Sequence, residues 1–442
     1  MKTLNFVQLL KSRLAGHLLM MASGNILCAG LGFLAILIIS RAVSVSDFGL
    51  FNISISVIIM VQPLINFGML GTMIKFVSSH LSNSRGEEAI HVVKAVFVIK
   101  VTLSLAMAIL VFLLADPLAR HVFHLPSLTP LLKMAAWGIL FLSMFNYVKA
   151  TLWAYKKFFA YIVIQFLIDT TKVLAIGVLF LISALTVFSS VSVFSLLPLL
   201  GIFLGFMYFR DVFSTKGAHT NKLYLQLFSF GKWLFLSHLG RRFFLYIGMV
   251  LLARMLNSEA AGIYGLALNL TYIFPILVST LTSVLLPEVS RFKEKKQFTV
   301  YYWQSLKISA AFGILLAPVL FFAKDIILFF FGERYLESIP VFVWLALGFL
   351  FFAVSHILRP ILIALDKPHI MTYADWLSVV AMFVGCYIFI PHLGVLAPAI
   401  TAFFVNMFGM VFLSIYTIRH IHRSDVFIAL GRDSIVTDFG AT

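Results

Sequence analysis

Apolar runs of membrane-spanning length, separated by short polar clusters, repeat along the whole chain. Twelve stand out, at roughly 17–40, 48–73, 92–115, 131–152, 160–184, 187–209, 231–253, 262–287, 304–323, 339–364, 370–390 and 393–418. A hydrocarbon core about 30 Å thick needs about 20 such residues per helix. Lipid offers backbone groups no partner, so each run is expected to be a helix that bonds within itself. The faintest boundary lies between the fifth and sixth runs, where Leu181 to Phe194 carries Ser and Thr but no charge. The first run follows Lys2, Lys11 and Arg13, as a signal peptide would. It is too long for one, and Arg41 follows without a small-residue cleavage site, so it is read as the first transmembrane helix.

The pattern restarts near the midpoint. Arg41 precedes Gly49-Leu50-Phe51 by eight residues, and Arg254 precedes Gly262-Ile263-Tyr264 by the same interval. Each copy follows a long apolar run, and Pro63 and Pro275 fall inside the next run of each copy. Asp116 and Asp325 then open matching loops. Six helices per half give both halves the same orientation, a parallel repeat about an axis along the membrane normal, with the natural cavity between the halves. The predicted fold is therefore an all-α polytopic membrane protein. About twelve transmembrane helices form two six-helix bundles, residues 1–213 and 214–442, the second ending in a short cytoplasmic tail.

Composition agrees: 62% of residues are hydrophobic, 11% are charged, and the mean hydropathy is +1.04. A soluble domain has nowhere to bury so much apolar surface. With the N-terminus inside, Lys75, Arg85, Lys94, Lys156, Lys157 and most other loop Lys and Arg fall on the inner side. The outer side receives only Arg41, Arg120, Lys133, Arg254, Lys324 and Arg334. This bias places both termini in the cytoplasm. It also accounts for most of the +16 net charge, which carries no clustered basic face for nucleic acid. Loops are too short to hold a folded domain. Lys222 to Phe230 suits an interfacial helix leading into the seventh span. Tyr301-Tyr302-Trp303 and Trp153 to Tyr155 sit where an aromatic belt belongs. Cys28 and Cys386 fall inside spans as apolar side chains, with no disulfide framework. No metal-ligand spacing is present; His121 and His124 share one outer loop without further ligands.

Ionisable residues inside spans carry the functional signal, since each costs at least ~2.5 kcal/mol at mid-membrane. Lys100 and Lys307 lie near inner ends and are expected to snorkel as anchors. Arg241 and Arg242 lie near the middle of the seventh span. Adjacent helical residues diverge by about 100°, so at least one should face a polar cavity. Intramembrane salt bridges to Asp169 or Asp375 are the competing reading, and one Arg paired with one free is a third. Asp169 and Lys172 share one helical face as a self-neutralising pair or a proton or sodium site. Arg359 stands about two turns from the inner end of its span. Asp375 has no basic neighbour within a turn and should pair across helices or titrate. The balance is basic, and Arg holds phosphate with a planar fork of donors. Arg241, Arg242, Lys172 and Arg359 are therefore the expected ligands of an anionic head group. Asp169 and Asp375 are the expected ion-coupling residues.

The chain resembles the polysaccharide transporter, or O-antigen flippase, family of the multidrug/oligosaccharidyl-lipid/polysaccharide flippase superfamily. The resemblance rests on Arg41 with Asp47-Phe48-Gly49-Leu50-Phe51 and on Arg254 with Gly262-Ile263-Tyr264. It continues through Pro287-Glu288-Val289-Ser290-Arg291, Phe331-Gly332-Glu333-Arg334-Tyr335, Asp366-Lys367-Pro368, and Pro391-His392-Leu393-Gly394-Val395 with Ala397. It implies two six-helix bundles around a V-shaped cavity. It further implies an inner-membrane flippase that moves an undecaprenyl-diphosphate-linked oligosaccharide outward by alternating access. Basic cavity residues would hold the diphosphate, and no cofactor is expected beyond coupling to an H+ or Na+ gradient. Membrane lipid and a polysaccharide polymerase complex are the expected partners, and nucleic acid is not.

Two departures qualify the resemblance. Many relatives carry an acid in the seventh span, fourteen positions before the second repeat glycine, where this chain has Gly248. The first span has Gly24-Asn25 and no acid. A cation-coupled multidrug exporter of the same fold is the alternative, but it would rely on cavity carboxylates. Lipid II flippases of the superfamily have fourteen spans, more than this length holds comfortably. An enzyme such as a polymerase would need a large outer loop or a paired-carboxylate motif, and neither is present.

Overall fold

A computed structural model of the chain describes residues 13–209, 221–276, 295–365 and 367–423, together with 278, 282, 289 and 292. The predicted boundary at 213/214, most of the motif at 287–291, Asp366 and the tail beyond 423 lie outside the described residues. The described residues form helices and short turns, with no strand among them. The first half runs α1 (Arg13–Ala42), α2 (Val45–Asn66), α3 (Met69–Ser82), α4 (Gly86–Pro117), α5 (Leu128–Ala154), α6 (Phe158–Leu181), α7 (Val187–Leu196) and α8 (Pro198–Tyr208). The second runs α9 (Asn221–Met255), α10 (Ser258–Thr271), α11 (Lys295–Phe321), α12 (Ala323–Phe331), α13 (Ser338–Ala364), α14 (Pro368–Leu393) and α15 (Ala397–Arg423). Ten described helical stretches are long and apolar enough to cross a membrane. One of them, His369–Ile421, contains both α14 and α15, joined at Gly394–Leu396. Helix α10 opens the eighth expected span, whose remainder lies largely outside the described residues.

Several expected boundaries move for local reasons. The second span breaks after Asn66, where Phe67 and Gly68 both take left-handed backbone (φ 42° and 71°). The uncertain fifth–sixth boundary is a helix start: Thr186 and Ser189 cap α7 reciprocally, satisfying its first backbone donors. The sixth span is split at Leu197–Pro198. The interfacial helix expected at 222–230 is instead continuous with the seventh span, in a 35-residue helix about 52 Å long. The belt expected at 301–303 is mostly core: Tyr301 and Tyr302 are buried, Tyr301 donates to the Ile357 carbonyl, and only Trp303 is exposed.

The repeat is physical as well as sequential. Ser44 caps α2 by accepting from the Asp47 N–H, and Asn257 caps α10 by accepting from the Ala260 N–H. The two helices then cross at their N-terminal turns. A Cβ on Gly49 would lie 1.7 Å from the Ser258 carbonyl oxygen, and one on Gly262 would lie 2.2 Å from that of Val45. Val45 and Ser258 occupy equivalent repeat positions, so the contact is reciprocal, as an axis along the membrane normal requires. Only glycine permits this backbone approach. Ser46 and Ser258 hydroxyls meet at 2.6 Å, and Asn269 donates to Asn52 at 2.8 Å deeper along the same pair.

Arg41 also bridges the halves, giving hydrogen bonds to the Phe329 and Phe330 carbonyls at the end of α12. In return, Arg334 donates to the Val43 and Arg41 carbonyls, and Tyr335 to that of Ser40. The 331–335 motif thereby satisfies the C-terminal carbonyls of α1. Large side chains such as Leu181, Ile314, Leu315 and Phe321 face outward, where a lipid solvent would cover them.

Candidate functional site

Span charges gather into two clusters, one in each half. In the second half, α9 carries Arg241 and Arg242 into a cavity of about 380 Å³. His238, Tyr264, Tyr272, Thr282, His356 and Asn406 supply its other polar walls, and Phe244, Phe349 and Phe352 its apolar ones. Every lining residue belongs to the second half, so this cavity sits within one bundle and not between the two. Arg241 donates to His356 at 2.7 Å, and Arg242 faces the Tyr272 and Tyr246 hydroxyls. The two guanidiniums diverge as neighbours on a helix must, yet both line the same cavity.

Asp375, expected to pair across helices or titrate, pairs across helices. Arg359 grips it with both terminal nitrogens, and Ser237 adds a third donor. Arg359 and Asp375 line a small recess next to the cavity, shared with Arg241 and Asn406. The nearest described carboxylate is therefore already committed, and neither Arg241 nor Arg242 has a carboxylate partner among the described ion pairs. Arg241 Nε and Arg359 Nε are buried donors without a partner. An unmet buried donor costs about 1–3 kcal/mol, so the cavity holds donors in excess of acceptors.

The other expected site residues lie apart. Lys172 and Asp169 form an ion pair at 2.8 Å on α6 in the first half, and Gln165 donates to the second carboxylate oxygen at 2.6 Å. Lys172 also stands over the Phe194 ring at 4.9 Å. Neither lines the Arg241–Arg242 cavity. Lys149, in the last two turns of α5, faces Asp169 and Lys172. Lys100 is not a snorkelling anchor: it is fully buried and donates to Asn66 Oδ1 at the break after α2. The apolar run gives its depth but not that α4 turns this face onto α2. Lys307 is exposed, as an anchor should be.

His356 and Thr282 are the polar groups that charge reasoning passed over. A neutral ring in an apolar span raises no alarm, although His356 lies three residues before Arg359. The departure at Gly248 also has a steric cause. A Cβ there would meet Pro398 Cβ at 2.8 Å and Met382 Cε at 3.0 Å, so the position has no room for an acid. No group of His, Cys, Asp or Glu among the described residues could hold a metal ion.

The fold is that of a two-lobed, twelve-helix membrane transporter. It aligns with an inward-facing multidrug resistance MATE family transporter of the MOP superfamily at a TM-score of 0.79 and 11% identity, covering 89% of this chain and 94% of that one. An outward-facing MATE family structure gives 0.70 and 13%, covering 96% and 99%. More than half of the sequence, residues 16–293, matches the family model described as polysaccharide biosynthesis protein, and the chain belongs to that family. It is also 25% identical over 336 residues to the lipopolysaccharide biosynthesis protein WzxC of Escherichia coli (strain K12), covering 72% of this chain and 63% of that protein. The chain thus aligns with about three fifths of the length of the curated relatives it matches.

Proposed function

We propose that the protein is a flippase that carries a diphosphate-linked oligosaccharide lipid across the bacterial inner membrane by alternating access. The observation that carries this reading is the Arg241–Arg242 cavity, where two cations stand without a carboxylate partner and one buried donor is unspent. Such a site favours a bidentate anion such as a diphosphate. Membership of the polysaccharide biosynthesis family and the likeness to WzxC support a lipid-linked sugar as the cargo. Arg359 contributes through the recess it shares with Arg241, and Lys172, paired with Asp169 in the other half, does not line this cavity. The inner-rich Lys and Arg loops support cytoplasmic termini, and on that orientation the Gly49–Gly262 contact lies on the outer side.

The multidrug-exporter reading has less support, since the carboxylates it needs, Asp169 and Asp375, are both held in ion pairs. A bacterial strain lacking its own flippase decides the matter. The parent chain should restore surface polysaccharide, and Arg241→Ala and Arg242→Ala should each lower it at least tenfold at equal protein level. Full restoration by both variants removes the cavity from the mechanism. Restored dye efflux without polysaccharide favours the exporter.

A further inference from the structure

The cavity contains a hydrogen-bond chain whose direction is fixed at every link. A guanidinium has no acceptor, so His356 Nε2 must accept from Arg241 Nη1 at 2.7 Å. The neutral ring then carries its proton on Nδ1, which donates to Thr282 Oγ1 at 3.1 Å. The Thr282 hydroxyl in turn donates to the Val278 carbonyl at 2.8 Å. Nothing in this chain tolerates a second proton on His356, because an imidazolium has no lone pair for Arg241 and repels it.

From this geometry we propose that His356 is a proton-binding latch: neutral, it holds Arg241 against α13; protonated, it releases Arg241 to an incoming diphosphate. The inference rests on the anionic head-group reading above. The described charged and titratable groups facing the ring support it. Arg241, Arg242 and His238 come from α9, Tyr264 from α10, Tyr272 from the residue that follows it, and Arg359 from α13. Tyr301 of α11 packs on the same helix, and Asp375 of α14 is tied to Arg359. With one paired carboxylate against three guanidiniums, an added proton on His356 is unfavourable in the empty cavity. A bound diphosphate reverses that balance and frees the ring nitrogen by engaging Arg241. Anion and proton therefore bind together. Histidine is the side chain whose ordinary titration falls in the physiological range. Asp169 and Asp375 are, on this view, structural partners of Lys172 and Arg359, and His356 carries the proton.

The test uses the full chain in detergent and a short-prenyl diphosphate-linked N-acetylglucosamine, a pyrophosphate diester that has no ionisation near neutrality. Calorimetry in two buffers of different ionisation enthalpy counts protons taken up on binding. The parent should take up close to one, and its affinity should rise toward the one-proton limit, about tenfold per pH unit, as pH falls. His356→Gln keeps an acceptor for Arg241 but has no ionisation in this range, so it should bind with no proton uptake and a flat profile. Thr282→Val keeps the ring but removes the Nδ1–H acceptor. It should move the pH profile downward, because the protonated ring needs that acceptor most. Binding without proton uptake in the parent, or uptake unchanged in His356→Gln, overturns the latch and leaves the head-group reading standing. An unmoved profile in Thr282→Val overturns it as well. No binding by the parent, or binding unaffected by Arg241→Ala, overturns the head-group reading itself.

Discussion

At the residue scale, Arg359 of α13 and Asp375 of α14 form a buried, bidentate ion pair. Both charges stood out against apolar runs, but their pairing was left open. The signal that resolves it was present: Arg359 stands eight residues before Lys367 and Asp375 eight after it. A helical hairpin turning there places both at equal depth, about 12 Å from the turn. Rotation about each helix axis is what the sequence withholds, and the same ignorance hid Lys100 and Lys149. The first half repeats the arrangement more loosely, with Lys149 before the corresponding turn and Asp169 after it. Removing one partner of a buried pair typically costs about 3–5 kcal/mol. Asp375→Asn should therefore lower the thermal midpoint in detergent clearly, and so should Arg359→Met. The Arg359→Met/Asp375→Leu double variant should recover most of that loss, because neither residue then leaves a bare charge. A double variant as unstable as the sum of the singles would mean that the two residues act independently.

At the element scale, the repeat glycines were legible as a duplication but not as a contact. Spacing alone placed Gly49 and Gly262 after equivalent turns; it could not show that the two turns meet each other. The reciprocal distances to Ser258 and Val45 explain why glycine stands in both copies. The breaks after Asn66 and Leu196 were missed because apolar residues flank both, and hydropathy is blind to a left-handed backbone or to a proline at a first helical turn. Gly49→Val places methyl groups where a backbone carbonyl already sits, so α2 and α10 must part. Overpacking of this kind costs about 1–3 kcal/mol even where side chains can yield, and backbone yields less. The variant should lose the close crossing of α2 and α10, read as a severalfold fall in cross-linking between cysteines placed at Ser46 and Ser258. Gly30→Ala meets nothing within 4 Å and should leave that cross-linking at the parental level.

At the scale of the whole molecule, the sealed end and the cavity make one argument. Arg41, Arg334, Tyr335 and the crossed turns of α2 and α10 tie the two halves together at the end bearing the repeat motifs. The Arg241–Arg242 cavity lies deeper, inside the second half. On the proposed function, a lipid head group bound there leaves on the far side only if this end opens, and every bond across it then breaks in each cycle. Those bonds are hydroxyl pairs and arginine-to-carbonyl contacts, individually worth about 0.5–3 kcal/mol, so they can be exchanged for water. A covalent bond cannot. The Ser46 and Ser258 oxygens are 2.6 Å apart, close enough for the Ser46→Cys/Ser258→Cys variant to form a disulfide with little backbone movement. In a background with Cys28→Ser and Cys386→Ala, oxidation should stop surface polysaccharide export, and a membrane-permeant reductant should restore it. Each single cysteine variant should export normally under both conditions. Continued export by the fully oxidised double variant would show that this end stays closed throughout the cycle, and the cargo would then have to leave sideways through the lipid-facing wall of one bundle.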